Sequence, residues 1–332
     1  MIKKILLGIL SLFVLFLIIS FVYVQNSWNR TYDLPFPDLK TSTDSAVIAR
    51  GKYLVHGPAH CSSCHVSDLL NPATNEDGNA LQGGAIFHLG PLGTMQSPNL
   101  TPDSDTGLGR YSDGEVFRMM RHAVKPDGTA SLSLMMPFWN MADEDLEAIV
   151  SYLRSIEPIR NETNQPEWTF IGKIVRTFTP TFEPVYNPTP PEKSPPMEPT
   201  IARGEYIARY VANCIGCHTP RDRMTFQAIG PEFSGGFEME PDPGQNEALG
   251  LDPNLWLRTP NLTPYEGSAL SKFKTSEQWI ARFRLGRVYP SSFMNWEPFS
   301  TMTDEDLEAL WLFFNSLEPV EKDIGDIAFI KE

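Results

Sequence analysis

The sequence predicts an all-α chain: two tandem helical domains behind one N-terminal transmembrane helix. Three observations predict it. An apolar run long enough to span a bilayer opens the chain. A Cys-x-x-Cys-His motif occurs twice and uses every cysteine present. The residues flanking each copy repeat in the same order, so the chain is an internal duplication.

The first element is the apolar run from Ile5 to Val24, interrupted only by Gly8, Ser11, Ser20 and Tyr23. About 20 apolar residues cross the hydrocarbon core as a helix. Lys3 and Lys4 place its start in the cytoplasm by the positive-inside rule. Trp28 falls where an interfacial anchor belongs. The stretch Val24-Gln25-Asn26-Ser27-Trp28 is a poor cleavage site for a signal peptide. Residues 1–28 are therefore expected to be an uncleaved, single-pass anchor in the cytoplasmic membrane. The rest of the chain would lie on the periplasmic, extracytoplasmic side.

The duplication comes next. Arg50-Gly51-Lys52-Tyr53-Leu54 precedes Cys61 as Arg203-Gly204-Glu205-Tyr206-Ile207 precedes Cys214. Asn99-Leu100-Thr101-Pro102 returns as Asn261-Leu262-Thr263-Pro264, and Asp143-Glu144-Asp145-Leu146 as Asp304-Glu305-Asp306-Leu307. Glu157-Pro158 and Glu318-Pro319 close the two copies. The unit is about 110 residues, an ordinary domain and too long for a solenoid repeat. The expected domains are 46–158 and 200–320, joined by a proline-rich linker over 159–199.

Within each unit the pieces read as helices. Residues 46–56 form a short amphipathic stretch. Residues 112–123 form a second, with Ser112 and Glu115 in capping-box spacing. Residues 143–155 open on three acids that suit a helix N-terminus, then place Leu146, Ile149, Val150 and Leu153 at helical spacing. Residues 304–317 do the same with Leu307, Leu310, Trp311 and Phe314. The Gly/Pro-rich stretches 71–111 and 219–271 show no convincing strand pattern. The linker is proline-dense from Pro180 to Pro199, hence extended and semi-rigid. Its apolar Trp168-Thr169-Phe170-Ile171 argues that it docks rather than swings free.

Cys61-Ser62-Ser63-Cys64-His65 and Cys214-Ile215-Gly216-Cys217-His218 carry the chemistry. C-x-x-C-H is the attachment signature of c-type haem. Two thiols at that separation add to the two vinyl groups of one porphyrin, and the adjacent histidine is delivered to the iron. The expectation is two covalently bound haem c, held by Cys61, Cys64, Cys214 and Cys217, with His65 and His218 as iron ligands. Two disulfides, or one zinc ion shared between the pairs, are the competing readings. A flat apolar cofactor would also supply the core that long loops lack.

The stretches RGKYLVHGPAHCSSCH, SPNLTPDSDTGLGRYSDGEVFRMMR and MPFWNMADEDLEAIVSYLRS resemble membrane-bound diheme c-type cytochromes. They are especially similar to the cytochrome subunits of bacterial membrane alcohol, aldehyde and gluconate dehydrogenase complexes. RGEYIARYVANCIGCHTPRD, TPNLTP and MTDEDLEALWLFFNSLEPV match the second domain of that kind. The resemblance spans about 46–320 and implies two cytochrome c domains. It also implies methionine as the sixth iron ligand, usual in electron-transfer cytochromes c. Met294 stands in the second ligand loop, with Asn295 where proline is usual. In the first, Met136-Pro137-Phe138 carries the proline, and the adjacent Met135 competes. His218 is the one histidine of the second half, whereas His56, His60, His88 and His122 leave a bis-histidine alternative in the first. Tyr53, Arg110, Arg121, Tyr206, Trp279 and Arg284 are candidate propionate donors, and Asn99 and Asn261 candidate loop fasteners.

The function implied is electron transfer in a respiratory chain. Single electrons would pass from a periplasmic dehydrogenase or quinol-oxidising complex to a terminal acceptor, with substrate oxidation done by a partner chain. The rival is a diheme cytochrome c peroxidase-like enzyme with one open haem, for which His88 or His122 would be the supporting feature. A net charge of −14 makes nucleic acid an implausible partner. An acidic surface would instead steer docking to a basic redox protein.

Overall fold

The computed structural model of the chain describes residues 2–67, 81–132 and 137–331. Helix α1 (Ile2–Ser27) is continuous, and among the described residues it is the one helix long and apolar enough to cross a membrane. Its side chains are exposed almost throughout, with Val24 the one buried residue.

The N-terminal half begins with α2 (Ser45–His56), capped by the Asp44 carboxylate. Strands β1 (Ile86–His88) and β2 (Gly93–Gln96) come next, then α3 (Asp113–His122) and α4 (Asp143–Ser155). The chain then returns as β3 (Glu167–Trp168) and α5 (Phe170–Phe178). Ser112 caps α3 as its spacing predicts: Glu115 N–H donates to Ser112 Oγ, and Ser112 N–H donates to the Glu115 carboxylate at 2.8 Å. On α4, Leu146, Ile149, Val150 and Leu153 are all buried, as their period requires.

The C-terminal half repeats the plan. It holds α6 (Ile201–Tyr206), whose last turn widens into a π-helix over Ile207–Val211, and α7 (Cys214–His218). Strand β4 (Glu238–Met239), α8 (Pro243–Ala248) and β5 (Leu255–Arg258) come next. Then come α9 (Ser276–Arg284), α10 (Trp296–Phe299), α11 (Asp304–Ser316) and β6 (Ala328–Ile330).

The crossing of α2 with α4, and of α6 with α11, explains the Arg-Gly pair. A Cβ on Gly51 would fall 1.9 Å from Ala148 O, and one on Gly204 would fall 1.9 Å from Ala309 O. Only glycine lets the backbones approach that closely. The preceding arginines then clamp the acids of the closing helices: Arg50 holds Asp145 at 2.9 Å and Arg203 holds Asp306 at 2.7 Å.

Two expectations need correction. The chain is not wholly α-helical: β1-β2-β3 and β4-β5-β6 form two small antiparallel sheets. Strands of two to four residues are too short to show alternation. The unit also runs past its closing Glu-Pro, because β3 and β6 return to complete each sheet. The first ten residues assigned to the linker thus belong with the N-terminal half, and residues 321–330 with the C-terminal half.

The rest of the linker is docked. Val185 N–H donates to His122 O and the His122 ring donates back to Val185 O. Ser194 N–H donates to the Glu144 carboxylate, while Arg203 donates to Pro195 O.

One buried cluster runs through both halves. At its centre two tyrosines are exchanged. Tyr206 OH donates to Asp145 at 2.8 Å and accepts Ala142 N–H at 3.0 Å. Tyr53 OH donates to Asp306 at 2.5 Å and accepts Thr303 N–H at 3.3 Å. Each acid is thus held by the arginine of its own half and the tyrosine of the other.

Candidate functional site

Both C-x-x-C-H motifs begin one residue after a left-handed backbone turn, at His60 (φ 43°) and Asn213 (φ 52°). A new helical turn starts there, over Cys61–Ser63 in the first motif and Cys214–His218 in the second. All four cysteines are free thiols. Cys61, Cys64 and Cys217 open onto one cavity of about 1870 Å³, also lined by His65 and Arg110. Burial pushes the Cys61 and Cys214 thiols up to about 12 and Cys64 up to about 11. Cys217 adds to the rise at Cys64, which puts the two motifs within electrostatic reach of each other.

The histidines are aimed by a shared device. His65 Nδ1–H donates to Pro98 O at 2.8 Å, and His218 Nδ1–H donates to Pro260 O at 2.9 Å. A carbonyl only accepts, so each Nδ1 carries the proton and each Nε2 keeps its lone pair. Nε2 has no hydrogen-bond partner among the described residues. Burial lowers both pKa values and holds the rings neutral, the ligand form.

The residue after each proline locks that carbonyl in place. Asn99 Oδ1 accepts Thr101 N–H and Oγ1–H, and its amide donates to Ile159 O at 2.7 Å. Asn261 repeats this with Thr263, and its amide donates to Val320 O at 2.9 Å. Both acceptors directly follow a closing Glu-Pro. The expected role of these asparagines as loop fasteners is thus seen in both halves.

Two further residues of this buckle escaped the sequence reading. Gly83 N–H donates to His65 O at 3.0 Å and Gly235 N–H donates to His218 O at 2.7 Å. Both have φ near +67° and lie so close to Pro98 and Pro260 that a Cβ would fall within 2.5 Å of that backbone. The signal was present: a Gly-Gly pair stands at nearly the same distance after each histidine.

The candidate propionate donors divide. Tyr53 and Tyr206 are committed to the exchange between halves. Arg121 donates to Trp139 O, Met141 O and Asp143, and Arg284 donates to Ser300 O, Met302 O and Asp304. These arginines brace the loop that leads into the closing helix. Arg110 lines the cavity, and Trp279 buries its indole Nε1–H without an acceptor among the described residues. A buried donor of this kind calls for an acceptor.

Met294 is half-buried, packed on the core beside Trp296, with its carbonyl accepting from Arg287. Met135 and Met136 lie outside the described residues. Of the other histidines, His56 bonds Tyr152 OH, His60 bonds Pro58 O and His122 bonds Val185 O. His88 lines the cavity. Among the described residues no three His, Cys, Asp or Glu side chains are grouped as a metal cage. That, with four free thiols, weighs against the zinc and disulfide readings.

A covalent haem therefore fits what is present: Cys61, Cys64 and His65 on one large cavity that Cys217 also reaches, two neutral histidines with a bare Nε2, and the buried Trp279 donor. The comparisons agree. Residues 48–157 match the family model for cytochrome c, so the chain carries a cytochrome c domain. That class binds haem c covalently and transfers electrons.

More particularly, the chain is similar to the cytochrome c subunit of the quinone alcohol dehydrogenase of Gluconacetobacter polyoxogenes. The two are 28% identical over 305 residues, 86% of this chain and 59% of that subunit. The gluconate 2-dehydrogenase cytochrome c subunit of Pantoea cypripedii is 30% identical over 186 residues, 54% of this chain and 39% of it. A diheme c-type cytochrome of Cereibacter sphaeroides is 22% identical over 219 residues, 65% of this chain and 69% of it. The chain thus spans well under two thirds of the length of the dehydrogenase subunits it matches.

Proposed function

We propose that this protein is a membrane-anchored diheme cytochrome c that passes single electrons from a periplasmic dehydrogenase or quinol-oxidising complex towards a terminal acceptor. One observation carries the reading: the histidine buckle is built twice. His65–Pro98–Asn99–Ile159 and His218–Pro260–Asn261–Val320 hold the same bonds in the same order. A second half that bound nothing would have no use for a second aimed, neutral imidazole.

Bound haem supplies a one-electron iron couple, and the protein's part is to keep its surroundings still. In this reading Cys61 and Cys64 attach the first group and Cys214 and Cys217 the second. His65 and His218 would hold the iron through Nε2, with Met136 and Met294 as the second ligands. Histidines locked by the Pro98 and Pro260 carbonyls would leave little to rearrange on electron transfer. Trp279 and Arg110 would take the propionates. Cys64 and Cys217 bring the two sites together for transfer between them. Helix α1 supports an anchor with both halves outside the cytoplasm, and the similarity to dehydrogenase subunits supports a dehydrogenase as donor.

The test is a haem count with a ligand challenge. Two haems per chain, and a reduced spectrum unmoved by carbon monoxide, are expected. One haem per chain would refute the second site. Two haems with half of them shifted by the gas would replace the carrier with the peroxidase-like reading.

A further inference from the structure

Helix α5 is inside out for a helix that faces water. Its inner side carries Gly172, Arg176 and Thr177, all buried. Its outer side carries Phe170, Ile171, Ile174 and Phe178, between 37% and 63% exposed. The orientation is held on all sides. Thr169 caps the first turn through Gly172 N–H and donates to Pro91 O. A Cβ on Gly172 would fall 2.1 Å from Leu92 O. Arg176 donates to Ala130 O and Trp28 O, and its guanidinium lies 4.8 Å from the Trp168 ring.

The helix also packs on the last turns of α1. The rings of Phe21 and Phe170 are 5.3 Å apart and those of Tyr23 and Phe178 are 5.9 Å apart. Lys173 Nζ donates to Gln25 Oε1 at 3.3 Å and sits 4.9 Å over the Trp28 ring.

We propose that the outer face of α5 lies in the bilayer surface on the extracytoplasmic side, as a second membrane contact beside α1. The inference rests on the reading of α1 as a spanning helix. Lipid that surrounds Phe21 and Tyr23 must also meet Phe170 and Phe178, because these rings touch. Tryptophan, tyrosine and lysine cluster at that level, as they do at membrane interfaces. A short helix that exposes Phe and Ile on one face, beside the Lys173 ammonium, is suited to the boundary between headgroups and acyl chains. The cytochrome c half would then be set at a fixed height and tilt, since α5 is bonded to the 3-10 turn Gly90–Leu92 and to Ala130.

The full chain, in the membranes of the cell that makes it, is tested by photocrosslinking. Benzoylphenylalanine is placed in turn at Phe178, at Phe13 in mid-span and at the exposed Leu285 of the other half. Phospholipid adducts at Phe178 and Phe13, and their loss at Leu285, are expected. Lipid at Phe13 with none at Phe178, or a protein adduct there instead, would overturn the proposal and leave the anchor standing. No lipid at Phe13 would remove the anchor and the proposal together. Equal yield at Leu285 would show collision rather than contact and also overturn it.

Discussion

Replacing Tyr206 by phenylalanine removes one oxygen from the middle of the molecule. That oxygen donates to Asp145 at 2.8 Å and accepts Ala142 N–H at 3.0 Å, in a residue 3% exposed. A hydrogen bond to a charged group contributes about 1.5–3 kcal/mol, and an N–H left buried without an acceptor costs about 1–3 kcal/mol. Arg50 still holds Asp145 at 2.9 Å, so the terms will not add in full. A loss of about 3 kcal/mol is expected, roughly 150-fold in the unfolding constant.

The pH profile tests the same bond separately. Burial, chiefly, and then the Asp145 charge raise the Tyr206 pKa in the folded state. The folded protein keeps the phenolic proton where the unfolded chain releases it, near pH 10. The stability from this group is therefore complete below about pH 10 and falls as pH rises further. Urea unfolding of the full-length holoprotein, followed by far-ultraviolet circular dichroism between pH 7 and about 11, reads both effects. A loss under about 0.5 kcal/mol, or an unchanged alkaline slope, would refute the reasoning.

Outcomes are expected for four further variants. Met294→Ala should leave two haems attached but make one of them bind carbon monoxide, read in the reduced visible spectrum; no shift would exclude Met294 as a ligand. Gly204→Ala places a methyl 1.9 Å from Ala309 O and should cost about 1–3 kcal/mol or prevent maturation. Gly8→Ala, with nothing within 4 Å, should be silent in the same urea unfolding that reads Gly204→Ala. Asn261→Ala strips the Thr263 and Val320 bonds and should lower stability by about 2–3 kcal/mol. It should also shift one haem potential in a redox titration, which simple destabilisation would not do.

The parts legible in the sequence were those written at a recognisable spacing. The C-x-x-C-H motifs, the Ser112–Glu115 box and the apolar period of residues 143–155 each state a local geometry within a few residues. Asn99 and Asn261 were readable because the repeat displayed them twice. The sheets were not, because β3 and β6 are far in sequence from the strands they join. Nor were Tyr53 and Tyr206. Counted as ligands for a propionate, they serve instead as partners for carboxylates in the opposite half, and nothing local distinguishes the two uses. Arg121 and Arg284 were misread for the same reason. Their acceptors are two backbone carbonyls and a carboxylate some twenty residues on, and a side-chain inventory does not contain the carbonyls.

The tyrosine exchange has a consequence for ancestry. Tyr53 stands to Asp306 as Tyr206 stands to Asp145, and Thr303 N–H stands to Tyr53 as Ala142 N–H stands to Tyr206. Such reciprocity is the signature of a surface that complements itself, as in a two-fold dimer. A single unit already carries both the tyrosine and the acid, so two copies of one ancestral unit would have closed on each other through this patch. Fusion of two such units would join partners already paired, and each half could then diverge without losing its counterpart.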